Sequence, residues 1–198
     1  MAATPATEAS TATATAGDEA AAQPVREGVP DSRTHREIGN EAVWSLSTAK
    51  PGNGVDQIRD DNIDTYWQSD GGQPHLINIQ FHKKMTINEV SFYLDYNLDE
   101  SYTPKKLSIR AGSMFHDLVE IQMVDLSEPQ GWVSVPLFAV DDKTGHQTRL
   151  RAHFLQVCVV SMHQNGRDTH IRQAKVFGPR STRDDFSTVE FSQFSTLR

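Results

Sequence analysis

The stretch His153-Phe154-Leu155-Gln156-Val157-Cys158-Val159-Val160 decides the reading of the fold. It is apolar on both parities, at Leu155, Val157, Cys158, Val159 and Val160. A short run of that kind reads as a central strand covered on both faces. On either side of it the pattern is simpler. Ile77, Ile79 and Phe81 alternate with Asn78 and Gln80, and Val90, Phe92, Leu94 and Tyr96 alternate with Ser91 and Asp95. Leu107, Ile109 and Ala111 follow, then Val119, Ile121 and Met123, then Val133, Val135 and Leu137, and last Ala174 to Phe177. A period of two with one apolar face is the mark of antiparallel strands. The breaks carry turn chemistry, at Pro51-Gly52-Asn53-Gly54, Asp70-Gly71-Gly72, Asp142-Lys143-Thr144-Gly145 and Asn165-Gly166. One short helix fits at Val55 to Asp60. About seven or eight strands without long helical periods predict an all-β fold, an antiparallel β-sandwich or jelly roll.

This texture spans residues 35–179, and the ends of the chain differ from it. Residues 1–34 hold no aromatic and open on the low-complexity run MAATPATEASTATATAGDEAAAQP. With no large side chain to bury, such a segment cannot offset the entropy of ordering and reads as a disordered tail. It lacks the Arg-rich character of a transit peptide, its first basic residue being Arg26. Residues 180–198 end in STRDDFSTVEFSQFSTLR, polar with Phe186, Phe191 and Phe194 spaced apart. That segment reads as a frayed terminus or as a flexible docking tail.

Composition narrows the function classes. The 198 residues hold 19 Lys and Arg against 26 Asp and Glu, a formal charge of −7. That balance argues against a general nucleic-acid binder, which needs a basic surface to displace counterions. No apolar run approaches the roughly 20 residues of a membrane span, so no membrane partner is expected. The single Cys158 excludes an internal disulfide framework. The expectation is a soluble intracellular protein.

Motifs for catalysis are missing. There is no G-x-S-x-G elbow, no P-loop, no strand-borne G-x-G-x-x-G and no H-E-x-x-H. Cys158 lies in the most apolar strand, where a thiol is packing rather than a nucleophile. Asp60-Asp61, Asp99-Glu100 and Asp141-Asp142 fall in turns, where acids serve solubility and capping. The densest polar constellation is His163-Gln164-Asn165-Gly166-Arg167-Asp168-Thr169-His170, between the doubly apolar strand and the last one. It admits three readings. Loop residues often satisfy one another and the local backbone. His163, Asp168 and His170 offer three metal ligands, at a spacing that matches no strong motif, which would suit a metal-assisted hydrolase. A mixed set of donors and acceptors on a rigid β scaffold suits recognition of a polar or peptide ligand. A second loop, Asp99-Glu100-Ser101-Tyr102-Thr103-Pro104, reads either as an acidic turn closed by Pro104 or as part of the same surface, with Tyr102 a flat amphipathic contact.

Resemblance adds to this. The stretch Asp60-Asp61-Asn62-Ile63-Asp64-Thr65-Tyr66-Trp67-Gln68-Ser69-Asp70, followed by His75 to Phe81, resembles the opening of galactose-binding-like (discoidin-type) jelly rolls. There an acidic turn leads to Thr-x-Trp and a strand, and Trp67 reads as core rather than as a ligand platform. Together, Arg36-Glu37-Ile38-Gly39, Ala42-Val43-Trp44-Ser45-Leu46-Ser47, Lys50-Pro51-Gly52, Tyr66-Trp67-Gln68-Ser69-Asp70-Gly71, Asp99 to Pro104 and His163 to His170 resemble the DOC-domain subunit of the anaphase-promoting complex, the subunit 10 family. The resemblance runs from about Arg36 to Pro179.

It implies a non-catalytic subunit of a RING ubiquitin ligase, without a cofactor or metal, in nucleus and cytoplasm. The implied role is that of co-receptor for destruction-box degrons beside a propeller-type coactivator, promoting processive ubiquitination in the cell cycle. The implied degron-binding residues are Asn165, Arg167, Asp168 and His170, with Asp99, Glu100, Ser101 and Tyr102 in the second loop. Other implied partners are scaffold and TPR-repeat subunits. The family ends in Ile-Arg, which docks on a TPR-repeat subunit, and this chain ends in Leu197-Arg198. The competing class is a carbohydrate-binding jelly-roll module, because one fold hosts many functions.

Overall fold

The computed structural model describes residues 25–140 and 144–180. Thirteen strands and two short helices follow in chain order among the described residues. They are β1 Arg26–Glu27, β2 His35–Glu37, β3 Ala42–Leu46, α1 Val55–Arg59, β4 Trp67–Gln68, β5 His75–Ile87, β6 Glu89–Asp95, α2 Tyr96–Asp99, β7 Pro104–Gly112, β8 Val119–Asp125, β9 Gln130–Pro136, β10 Phe138–Val140, β11 Gln147–Met162, β12 His170–Ile171 and β13 Gln173–Pro179. All pairings are antiparallel. One sheet runs β1-β9-β6-β13-β2, and the other runs β3-β5-β11-β7-β8 with β10 also on β11. A small third ladder joins β12 to β4.

The doubly apolar run is the middle of β11, which pairs with β5 on one side and β7 on the other. Every residue from Phe154 to Val159 is buried, whereas Val160, expected to be covered with them, is exposed. Leu155, Val157 and Val159 face Ile77, Ile79, Leu107 and Ile109 of their own sheet's inner face and Val90, Phe92, Leu94, Val135 and Val176 of the opposite one, in one cluster. Each such side chain contributes about 1.5–3 kcal/mol through burial. Cys158 is 1% exposed and lies outside that cluster, on the outward parity of β11. Burial pushes its thiol pKa up, in keeping with a packing role. The expected helix is α1, whose Ile58 is fully buried and whose Gln57 side chain accepts the Gly54 N–H at 2.8 Å. Trp67 is also fully buried, donating its indole N–H to the Thr48 carbonyl at 2.9 Å.

The jelly roll is as expected, with two differences. The additional strands, β1, β2, β3, β4, β10 and β12, have two to five residues each, too few to show a period. And the fold begins before residue 35. Arg26 and Glu27 pair with Ser134 and Val133, and the Ser134 hydroxyl donates to the Gly28 carbonyl at 2.6 Å. Ser91 and Ser134, both buried, bond each other at 2.6 Å beneath this segment. A segment held by backbone bonds and covered serines carries no apolar signal. The remainder of the N-terminal tail (1–24), the turn residues Asp141, Asp142 and Lys143, and the C-terminal tail (181–198) with Leu197 and Arg198 lie outside the described residues.

The acidic turn after α1 is knitted by Gln173 at the start of β13, 1% exposed. Its amide nitrogen lies 3.0 Å from the Gln57 carbonyl, 2.7 Å from Asp60 Oδ1 and 2.8 Å from the Asn62 carbonyl, and its oxygen accepts the Asp61 N–H at 3.1 Å. Gln173→Leu keeps the bulk and leaves these acceptors with one partner fewer. It should lower unfolding stability by about 2 kcal/mol, read as the urea midpoint, and an unchanged midpoint would show the turn holds itself.

Candidate functional site

Two turns meet at the end of the sandwich where β6 and β11 finish. The first comprises α2 and a 3-10 turn, Glu100–Tyr102, before β7. Asp95 starts it, its Oδ1 accepting the N–H groups of Asn97 at 3.0 Å and Leu98 at 3.3 Å, as an N-cap does. The second is the 3-10 turn His163–Asn165, leading through Gly166, Arg167, Asp168 and Thr169 to β12. The turns are bonded to each other: the His163 N–H donates to the Thr103 carbonyl at 2.9 Å and the Thr169 hydroxyl to the Tyr102 carbonyl at 3.3 Å. Gly166 sits so close to the Ser101 carbonyl that any Cβ there would overlap its oxygen. Only glycine permits this approach.

The expected site residues divide into two groups. Asp99 and His170 turn inward. Asp99 is 5% exposed and accepts a fork from Arg172, Nε to Oδ2 and Nη2 to Oδ1 at 2.9 Å each, plus His170 Nδ1 at 3.1 Å. Arg172 also donates to the Ile63 carbonyl at 2.8 Å. The His170 ring is sandwiched between Tyr66 and Tyr102, with both centroids 4.2 Å away. These two residues therefore hold the site from beneath. Burial alone would raise the Asp99 pKa, but the hydrogen bonds from His170 and Arg172 and the Arg172 charge outweigh it and hold the carboxyl below its ordinary value.

The others form the surface. Glu100, Tyr102, Asn165 and Arg167 are exposed, and Ser101 and Asp168 are half-buried. Asp168 accepts the Ser69 hydroxyl at 3.3 Å. Five non-glycine residues have positive φ among the described residues, and three of them are here: Glu100 at 43°, Gln164 at 51° and Asn165 at 56°. Strain of that kind persists where the surroundings over-determine the backbone, and it concentrates at functional sites. His163, Asp168 and His170 do not converge. The first packs edge-on against Tyr96, the second meets Ser69 and the third meets Asp99. No group of three metal-competent side chains occurs among the described residues.

Comparison with known proteins bears on what this surface serves. Residues 7–198 match the family model for anaphase-promoting complex, subunit 10. The chain belongs to this family. Its relatives include anaphase-promoting complex subunit 10 of Drosophila melanogaster, 51% identical over 170 residues, covering 82% of this chain and 85% of the relative. The Homo sapiens subunit 10 is likewise 51% identical over 170 residues, with 83% and 89% coverage. Among solved structures, a family 32 carbohydrate-binding module from C. perfringens in complex with galactose superposes with a TM-score of 0.58 over 72% of this chain and 98% of that one. At 13% identity that likeness concerns the fold alone, and it agrees with the galactose-binding-like resemblance.

Several residues at this site were not picked out as site residues from the sequence. Tyr66 and Ser69 lie in a quoted motif without an assigned role. Arg172 and Gln73 sit outside the dense loops. His75 had a legible signal, being the one polar residue on the inward parity of Ile77, Ile79 and Phe81.

Two outcomes follow from this geometry. Because the Asp99 pKa is lowered on folding, its stabilisation is complete above the unfolded carboxylate pKa of about 4 and is lost as pH falls through the lower folded value. Asp99→Asn should cost about 3–5 kcal/mol near neutral pH by leaving Arg172 buried without its counter-charge, and should flatten the acid limb of a stability-pH curve. Glu100→Gly should relieve backbone strain and raise stability by roughly 0.5–1 kcal/mol, measured by urea unfolding; a loss would mean that the φ of 43° is unstrained.

Proposed function

We propose that this chain is a non-catalytic subunit of the anaphase-promoting complex and acts there as a co-receptor for destruction-box degrons. Family membership supports the assembly. The observation that carries the binding role is the pair of interlocked turns presenting Asn165, Arg167, Glu100 and Tyr102 to solvent above a buried Asp99–Arg172 fork. The side chains of Asn165 and Arg167 make no hydrogen bond or ion pair among the described residues, so their donors and acceptors are available to an extended peptide.

A destruction box is short and unstructured. Held partly here and partly by a propeller-type coactivator, it experiences a raised effective concentration at each site. A weak contact on this chain then slows dissociation more than it speeds association, and slower release of substrate gives more ubiquitin transfers per encounter. Leu197-Arg198 would dock on a TPR-repeat subunit, offering an apolar side chain and a guanidinium. The β domain would rest on a scaffold subunit, and the protein would work in nucleus and cytoplasm.

The test is Asn165→Ala with Arg167→Ala in the assembled ligase. Degron-peptide dissociation should accelerate by about tenfold and ubiquitin chains per encounter should shorten, while the variant still co-purifies with the complex. Normal dissociation and processivity in a correctly assembled variant would refute the reading. Binding of a glycan in preference to the peptide would move the chain to the carbohydrate-binding class.

A further inference from the structure

His75 opens β5, pairs with Val159 of β11 and is fully buried. Its Nε2 lies 2.7 Å from the Arg167 carbonyl and 3.3 Å from the Ser69 hydroxyl. A carbonyl oxygen only accepts, so Nε2 carries the proton and donates. The rest of the network then has one direction. The Thr169 N–H donates to Ser69 at 2.9 Å, and the Ser69 hydroxyl donates to Asp168. Gln73 adds an amide donor to the Gly166 carbonyl at 3.0 Å and the Arg167 carbonyl at 3.3 Å.

Among the described residues, the other ring nitrogen, Nδ1, is buried without a hydrogen-bond partner. An unpaired buried polar atom is destabilising, and an aliphatic side chain in this position on the inward parity of β5 would avoid the penalty. The imidazole thus carries a burial cost here, and its polar contacts are with the loop and with the Ser69 that braces it. The backbone it grips is that of Arg167, between the glycine that locks the two turns together and the carboxylate of Asp168.

We infer that His75 is a positioning residue for ligand recognition: through the Arg167 carbonyl and Ser69 it sets the orientation in which Arg167 and Asp168 are offered to a peptide. As regards the peptide, this rests on the proposed co-receptor role; as regards the loop, it does not. Asp168 keeps one carboxylate oxygen on Ser69, so a rotation of the Arg167 peptide unit would move both side chains together. A strand anchored in the central sheet is a suitable base for that control, because recognition groups need support more rigid than a loop provides.

The experiment uses the full-length chain and three variants. His75→Leu keeps the volume and removes the donor. His75→Asn stays polar, but its amide stops a bond short of the Arg167 carbonyl. His75→Gln places an amide N–H near the original Nε2. Hydrogen exchange of the backbone amides of Gly166 and Thr169 should accelerate by about tenfold in the Leu and Asn variants, return towards normal in the Gln variant, and leave Leu155 and Val157 unchanged. Unaltered exchange at Gly166 and Thr169 overturns the inference, as does equal acceleration throughout β11, which would mean general loosening. If the Leu variant fails to fold, the Asn and Gln pair decides. In the assembled ligase, His75→Leu or His75→Asn should speed degron-peptide dissociation to about the extent of the Asn165 and Arg167 double variant, with rescue by His75→Gln. A slow-releasing His75 variant beside a fast-releasing double variant overturns the positioning role. If the double variant itself releases slowly, the co-receptor reading fails, and the exchange data still decide whether His75 sets the loop.

Discussion

Strand β11 is paired along both edges and covered on both faces, and the other parts of the molecule take their places from it. Its inner side chains join the two sheets, its N-terminal part carries β10, and its C-terminal end delivers the turn at His163–Asn165. A strand buried this way has little freedom of register, because a slip by one residue would exchange Leu155, Val157 and Val159 for Gln156 and Cys158 in the core. The turn at His163–Asn165 therefore leaves the sheet from a fixed point. The same holds for the first turn, which leaves β6 opposite, where Phe92 and Leu94 are locked into the same cluster.

The site is built in two tiers on that base. The lower tier is polar but closed: Asp99 with Arg172 and His170, and His75 with Ser69 and the Arg167 carbonyl. The Asp99 charge is met by Arg172 and His170 beneath the surface, and aromatic rings stack against His170. The upper tier is open, with exposed side chains on backbone that departs from the usual φ range. Such a division suits the proposed binding role, since the Asp99 carboxyl, held below its ordinary pKa, is engaged with a guanidinium and an imidazole beneath the surface.

Much of this was legible in the sequence, and the parts that were not have physical reasons. The two-residue period exposed the long strands because one face of each must be apolar, and the doubly apolar run marked β11 because both of its faces are covered. The turns with Asn165 and Glu100 stood out by density of polar groups. What a sequence pattern does not carry is direction. Asp99 and Glu100 are neighbours of the same charge, yet one is inside and the other outside, and the partner that decides it, Arg172, lies 73 residues further on. The strand at Arg26 was hidden for a related reason, since backbone hydrogen bonds require no particular side chain.

The contact between Gly166 and the Ser101 carbonyl has a bearing on how such a surface changes over time. Two loops that touch through bare backbone cannot lengthen, shorten or acquire a side chain at the junction one at a time. The chemistry of the surface is then open to change through the outward side chains, residue by residue, while any change of loop length has to arrive in both turns together. Anyone wishing to build this paired surface on another jelly roll would need to transplant the two loops as a matched pair.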